Sequence, residues 1–143
     1  MELSGVTAIL GGEEILHKKI SNQMDLIELS QTGIPKDALV NLAKHLSFTI
    51  RQIAQLLPVT ARTIQRYTGK KQFNRVVSEQ ILHIAFVAAK GTEVFGEKAR
   101  FLSWMNHPNK ALANKTPLSL LSSRFGVEMV LDELGRMEYG VLS

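Results

Sequence analysis

The stretch TIRQIAQLLPVTARTIQRYT, residues 49–68, predicts two short helices joined by a tight turn. Thr49 and Gln52 have the spacing of a capping box at the start of the first helix, and Thr60 can cap the second. Ala54 is a small residue at the point where the second helix must cross the first. Apolar residues that can lock this crossing surround it: Ile53, Leu57, Val59 and Ile64. We therefore predict a helix-turn-helix, with its helices over 49–57 and 61–68.

The second helix of this pair predicts a surface that reads DNA. Arginine pairs with guanine and glutamine with adenine in the major groove, and the basic residues that follow the helix can hold phosphates. The candidate DNA-binding residues are Thr60, Arg62, Gln65, Arg66, Lys70, Lys71 and Arg75. Pro58 stands in the turn where such motifs commonly have a glycine with positive φ. Proline cannot adopt that conformation, so we expect a turn of another type.

Charge supports this interpretation, because it is concentrated in one part of the chain. Of the 143 residues, which carry a formal net charge of +4, the segment 34–76 holds eight basic side chains against Asp37 alone, a local charge of +7. Segment 1–33 has a charge of −3, and segment 77–143 is neutral. A basic block attracts polyanions because it displaces counterions from their phosphates, although a basic surface without a partner has the same composition.

The remaining chain predicts an all-α protein, because no segment alternates as a strand would. A long helix from about Ser78 is apolar on more than one side, so it is central and buried or lies between subunits. Val127, Val130, Leu131 and Leu134 form the stripe of a final amphipathic helix, which Gly140 can end. We expect three parts: an N-terminal helical arm at 1–33, a helix-turn-helix unit at 34–76, and a helical dimerisation and partner-binding domain at 77–143.

Several chemical functions are not indicated. The chain has no cysteine, and its four histidines never have the i, i+4 spacing of a helical metal site. We expect no catalytic residue, no metal, no cofactor and no enzymatic activity. His83 is predicted to be a core histidine with its hydrogen bonds satisfied, and Trp104 a core anchor. The pair Glu128 and Asp132 is expected to lie on a solvated face. With no signal peptide or membrane span evident, we expect a soluble cytoplasmic protein.

Three ordered motifs resemble those of a known family, the Xre/MbcA/ParS-type antitoxins. The first comprises DLIE (25–28), GIP (33–35) and RTIQR (62–66), which look like the family's N-terminal part. The second and third look like its toxin-binding domain: WMNHPNKAL (104–112) with TPLSLL (116–121), and Gly126 through Val130 to LGRMEYG (134–140). The family often has Gly-Gly where this chain has Ala113-Asn114.

The resemblance implies an antitoxin of a bacterial type II toxin–antitoxin pair. The implied partner is a RES-domain toxin, which consumes NAD, and in the family the antitoxin's C-terminal end blocks the toxin's NAD pocket. The helix-turn-helix part can bind the operon's own promoter as a repressor. Carried over, the toxin-binding residues would be Arg136, Tyr139, Gly140, Val141, Leu142 and Ser143.

Two alternatives remain open from the sequence. The chain could be a transcriptional regulator without a toxin partner, or a helical adaptor that binds a protein and no DNA. The basic block at 34–76 favours the antitoxin and the regulator over the adaptor. The end at 139–143 favours the antitoxin over the regulator. We also expect a homodimer through the 78–95 helix or its neighbours, which would pair two recognition helices on a two-fold site.

Overall fold

Apolar residues occur on several sides of the helix predicted from Ser78 because five other helices pack around it. The computed structural model describes residues 3–139, and this part of the chain is all-α, with no strand beyond two isolated bridge pairs. Its helices are α1 (Leu3–Ile9), α2 (Glu13–Leu16), α3 (Gln23–Thr32), α4 (Lys36–His45), α5 (Ile50–Ala54), α6 (Ala61–Arg66), α7 (Arg75–Phe95), α8 (Lys98–Met105) and α9 (Arg124–Glu138). Two 3₁₀ turns, Lys110–Leu112 and Leu118–Leu120, lie between α8 and α9.

Helix α7 is the central element, and α1, α3, α4, α8 and α9 all contact it. Its buried residues are spread around the helix: Val77, Ser78, Ile81, Leu82, Ile84, Ala85, Val87, Ala88 and Gly91. Of the two predicted positions for this helix, the central one is therefore observed. Most of its apolar residues are covered within one chain, whereas Val76 in its first turn is 58% exposed.

Two predicted helix ends were wrong by a few residues. Helix α5 stops at Ala54 rather than Leu57, because the amides of Leu56 and Leu57 bond to carbonyls three residues back and the chain tightens into turns. Helix α6 stops at Arg66 rather than at about Thr68, because Tyr67 is extended, with ψ 143°. The helix-turn-helix is therefore more compact than the sequence pattern indicated.

The start of α7 also differs from the prediction. It begins at Arg75, where the Asn74 side chain accepts a hydrogen bond from the amide of Val77 at 2.9 Å. The boundary proposed between 76 and 77 therefore lies within the first turn of this helix. One continuous helix thus joins the basic unit to the C-terminal part.

The N-terminal arm is docked on the rest of the protein. Val6 and Leu10 of the α1 segment are buried, and α1 contacts both α4 and α7. The amide nitrogen Nδ2 of Asn41 in α4 donates to the carbonyl of Leu10 at 3.2 Å. The arm therefore contributes to the core that supports the helix-turn-helix.

A close approach of helices organises the C-terminal part. Gly91 of α7 lies against the ring of Phe101 in α8: a Cβ at this glycine would come within 2.0 Å of the ring. Phe101 is fully buried, and the half-buried Trp104 packs 6.5 Å from it and 5.7 Å from Phe95, measured between ring centroids. The prediction that Trp104 anchors the core is confirmed.

Helix α9 is held in place by the turn before it. Gly126 lies so close to the carbonyl oxygen of Leu120 that a Cβ would come within 1.8 Å of that oxygen. The side chain of Gln80 in α7 donates to the carbonyl of Leu121 at 2.6 Å. The buried face of α9 carries Val127, Val130 and Leu134. The predicted amphipathic stripe is therefore observed, with Leu131 at its half-buried edge.

Candidate functional site

The helix-turn-helix is built by local capping. Thr49 accepts from the amide of Gln52 at 3.2 Å while the Gln52 side chain accepts from the amide of Thr49 at 2.8 Å, which is the predicted capping box. No residue from Thr49 to Arg66 has a positive φ. Pro58 thus sits in a turn without a left-handed residue, as expected from its ring.

Helix α6 presents three of the candidate DNA-binding residues on one side. Arg62, Gln65 and Arg66 are exposed, whereas Ile64 is fully buried against the core. Thr60 has a structural role, because its hydroxyl accepts a hydrogen bond from the amide of Thr63 at 3.1 Å and caps the helix. The Thr60 side chain caps the helix end, and the two arginines and the glutamine form the exposed side of α6.

The loop after α6 carries the remaining candidates and is tied to the start of α4. The amide of Lys36 donates to the carbonyl of Lys71 at 2.9 Å, and the Nζ of Lys36 donates to the carbonyl of Tyr67 at 3.0 Å. The Nζ of Lys71 lies 5.6 Å from the centre of the Tyr67 ring, within the range of a cation–π contact. Lys70, Lys71 and Arg75 are exposed. These cations are therefore presented beside α6 by a restrained backbone.

A buried hydroxyl connects this loop to the central helix. The Oγ of Ser78, which is fully buried, accepts from the amide of Ile34 at 2.9 Å and donates to the carbonyl of Phe73 at 3.2 Å. One side chain thus satisfies a donor before α4 and an acceptor after α6. The position of the basic loop is coupled to α7 through this group.

The C-terminal candidates lie at the end of α9. Tyr139 is 87% exposed, and Arg136 uses Nε and Nη2 on one oxygen of Glu133, at 2.9 and 2.6 Å. Glu138 pairs with Lys90 of α7, and the hydrogen bond from Lys90 holds the pKa of Glu138 below its usual value. The same bond raises the pKa of Lys90. The other predicted residues, Gly140, Val141, Leu142 and Ser143, lie outside the described residues.

Sequence reasoning missed two exposed apolar residues on the outer side of α9. Phe125 is 82% exposed and Met129 is 43% exposed. The buried stripe of apolar residues is enough to predict this helix, so the pattern gave Phe125 and Met129 no separate role. A signal was available: two large apolar residues at i and i+4 stand outside that stripe.

The expectation for His83 was wrong in one respect. Its ring is half-buried, and its Nδ1 has no hydrogen-bond partner among residues 3–139. The ring lines a cavity between α1, α3, α7 and α9 whose other walls include Phe86 and Leu131, and burial lowers the pKa of the imidazole. Asn22 and Gln23 also line this cavity, but neither is hydrogen-bonded to Nδ1, so the predicted hydrogen bonds are incomplete.

The acidic residues of α9 lie on its solvated face. Glu128 is exposed and pairs loosely with Arg124 at 3.7 Å, and Asp132 is exposed. Within residues 3–139, no three histidine or carboxylate side chains come together as metal ligands. No helix in this part of the chain is long and apolar enough to span a membrane.

Two family models match the chain. Residues 25–85 match the antitoxin Xre-like helix-turn-helix domain, which covers α3 to the middle of α7. Residues 90–140 match the antitoxin Xre/MbcA/ParS C-terminal toxin-binding domain. The two matches include the exposed face of α6 and the whole of α9.

Individual proteins agree with these matches. The chain is 28% identical over 120 residues to the antitoxin Xre of Yersinia enterocolitica, covering 82% of this chain and 81% of that protein. It is 26% identical over 113 residues to the antitoxin Xre of Photorhabdus laumondii, covering 78% and 76%. Its fold is similar to a chain in the crystal structure of the M. tuberculosis MbcT–MbcA toxin–antitoxin complex, with TM-score 0.58, 19% identity, and coverage of 87% of this chain and 100% of that one. The two domain matches and these relatives agree, and the chain belongs to the Xre/MbcA/ParS antitoxin family.

Proposed function

We propose that this protein neutralises a RES-domain, NAD-consuming toxin and represses its own operon. The observation that carries the proposal is the arrangement of two exposed surfaces on one continuous helix. Helix α7 begins directly after the basic loop that follows α6 and is hydrogen-bonded to it through Ser78, and near its other end Lys90 pairs with Glu138 at the end of α9. A protein built this way can bind operator DNA and a second protein with different parts of its surface.

The DNA-binding part of the proposal rests on charge and geometry. Arg62, Gln65 and Arg66 share the outward side of α6 and have side chains suited to base edges. Lys71 and Arg75 follow on a restrained loop and are suited to phosphates. The function assigned to these residues is recognition of the operator that precedes the protein's own gene.

The toxin-binding part rests on the end of α9. Tyr139 offers an exposed ring and a hydroxyl, and residues 140–143 add a glycine, two apolar side chains and a serine. These groups suit a nucleotide pocket, which accepts a stacked ring and apolar area and which binds a phosphate with cations. The proposed mechanism is therefore occupation of the toxin's NAD pocket by residues 139–143, with Arg136 contacting its rim.

The dimer expected from the sequence, through the 78–95 helix or its neighbours, remains a proposal. Helices α1, α3, α4, α8 and α9 contact α7, so the surface left for a second copy is formed mainly by those neighbours. A two-fold operator would still require two copies of α6. Sedimentation at micromolar concentration measures whether the free protein is a dimer.

Deleting residues 139–143 tests the neutralisation mechanism. The shortened protein should fold and bind the operator as the full chain does, because neither α6 nor the core includes these residues. It should fail to stop NAD loss in a mixture with the RES-domain toxin encoded beside its gene. A matched control replaces the exposed Lys19, which lies outside both domain matches, by alanine and should leave inhibition unchanged.

The outcomes of this experiment separate the candidate functions. Full inhibition by the shortened chain would refute the plug and would place neutralisation elsewhere on the surface. If the full chain has no effect on the toxin and still binds the operator, the protein is a transcriptional regulator without this partner.

A further inference from the structure

The outer side of α9 carries a stripe that the fold does not use. Phe125, Met129, Asp132 and Arg136 follow at i, i+4, i+7 and i+11, so they lie along one side of the helix. We refer to these four residues as the outer stripe. All four are exposed, and Phe125 is 82% exposed. From Phe125 to Arg136 the stripe spans about 16 Å along the helix axis.

The core needs none of these side chains. Helix α9 packs against α7 and the turns before it with the opposite side, where Val127, Val130 and Leu134 are buried. The close contact of Gly126 with Leu120 fixes which side faces inward. An aromatic ring of this exposure on a well-packed helix is apolar surface that only a partner would bury.

The stripe is continuous with the end of the chain that binds the toxin under the proposed function. It lies within residues 90–140, which match the family's toxin-binding domain, and it leads from Phe125 to the exposed Tyr139. A protein that binds residues 139–143 must lie next to the C-terminal end of α9. The exposed surface that adjoins this point along the helix is the outer stripe.

We propose that the outer stripe lies in an apolar groove of the RES-domain toxin, with Phe125 as its anchor and Met129 beside it. This inference rests on the proposed function and deepens it. Helices that bind in grooves use large side chains at these spacings, and aromatic anchors carry most of the affinity in such interfaces. The charged end of the stripe, Asp132 and Arg136, lies at the polar rim of the groove.

The proposal divides the interface into two parts with separate effects. The outer stripe determines how tightly the toxin is held, and residues 139–143 determine whether its NAD pocket is blocked. Loss of Phe125 should therefore weaken the complex without removing inhibition at saturation. Loss of residues 139–143 should remove inhibition while much of the complex persists.

Alanine substitution of Phe125 tests this division. The purified full-length variant is titrated with the RES-domain toxin by calorimetry, and NAD loss is followed at increasing antitoxin concentration. Phe125→Ala should weaken binding by about 30-fold or more, the effect of an interface hot spot. NAD loss should still stop at saturating antitoxin. Because the side chain is exposed, far-UV circular dichroism and operator binding should match the wild type.

Ile27→Ala is the matched control, since Ile27 is 50% exposed on α3 and lies outside the domain match at 90–140. It should change toxin affinity by less than about threefold. Met129→Ala should give an effect between those of the other two variants.

Two results would overturn the outer stripe as a toxin-binding surface. One is a Phe125→Ala variant that binds the toxin as tightly as the wild type. The other is loss of self-association in sedimentation with unchanged toxin affinity, which would make the stripe an interface between copies. A wild-type chain that binds no RES-domain toxin would remove the proposed function itself, and that result is distinguishable because it does not depend on Phe125.

Discussion

Glu138, the last residue of α9, forms a hydrogen-bonded ion pair with Lys90 of α7. The next residue after Glu138 is the exposed Tyr139. The pair links the end of the final helix to the central one. It therefore helps to fix the position of Tyr139 relative to α7. Neither residue was a candidate in the sequence, because 48 positions separate them.

Reversing one charge of this pair should impair neutralisation. Lys90→Glu places a carboxylate beside Glu138 and should raise the concentration needed for half-inhibition of NAD loss several-fold, because the end of α9 is no longer held. The double variant Lys90→Glu/Glu138→Lys restores opposite charges and should recover most of the inhibition. If the single and double variants inhibit equally, the pair has no part in positioning the tail.

A methyl group at Gly91 should destabilise the protein. The new Cβ would meet the buried ring of Phe101 at 2.0 Å, and such overpacking costs about 1–3 kcal/mol. The matched control is Gly135→Ala in α9, where no atom lies within 4 Å of the added Cβ. Alanine favours helix there, so the control should gain roughly 0.5–1 kcal/mol. Urea unfolding measures both, and a neutral Gly91→Ala would contradict the contact.

The loop between the two 3₁₀ turns contains two left-handed residues that are not glycine. Ala113 has φ 59° and Asn114 has φ 64°, so the chain keeps a conformation that the family's Gly-Gly would adopt without strain. Ala113→Gly should therefore stabilise the protein by about 1 kcal/mol. Ala111→Gly, in the preceding 3₁₀ turn, should not stabilise it. Thermal unfolding of both variants checks the sign, and equal effects would argue against the left-handed turn.

Stability should fall as the pH drops from 7.5 to 5.5. Burial, with a smaller contribution from Lys98, lowers the pKa of His45, whose Nε2 lies 3.0 Å from the Oγ1 of Thr92. Burial also lowers the pKa of His83. The unfolded chain then binds protons that the folded chain does not, so stability present above the ordinary pKa of 6.5 is lost as the pH falls through the folded values.

Melting temperatures at the two pH values test this dependence. Replacing both histidines by glutamine should flatten it. A wild-type protein that melts at the same temperature at both pH values would contradict the prediction.

Operator binding should separate base-reading from phosphate-holding residues. Arg62→Ala should cost about 1–3 kcal/mol and relax sequence preference, because an arginine to a guanine edge carries specificity. Lys71→Ala should weaken all DNA sequences alike and reduce the slope of log affinity against log salt by about one. Gel-shift titrations of the promoter and of a scrambled fragment at several salt concentrations give both quantities. Unchanged binding by an Arg62/Arg66 double alanine would exclude α6 as the recognition helix.

Features that depend on neighbouring residues were predictable from the sequence. The caps at Thr49 and Thr60 were predicted correctly, because a hydroxyl needs only an amide two or three residues ahead. The turn without a left-handed residue at Pro58 followed from the proline ring alone. The outward position of Arg62 and Arg66 followed from helical periodicity once Ile64 was assigned to the core.

Features that depend on distant segments needed the tertiary structure. The apolar pattern of α7 fits a central helix and a subunit interface equally well, and only the packing of α1, α3, α4, α8 and α9 shows which holds. The pairing of Lys90 with Glu138 and the exposure of Phe125 also depend on how distant segments pack. Burial is a property of what packs around a residue, so a one-dimensional pattern identifies apolar side chains but does not say whether this chain or another molecule covers them.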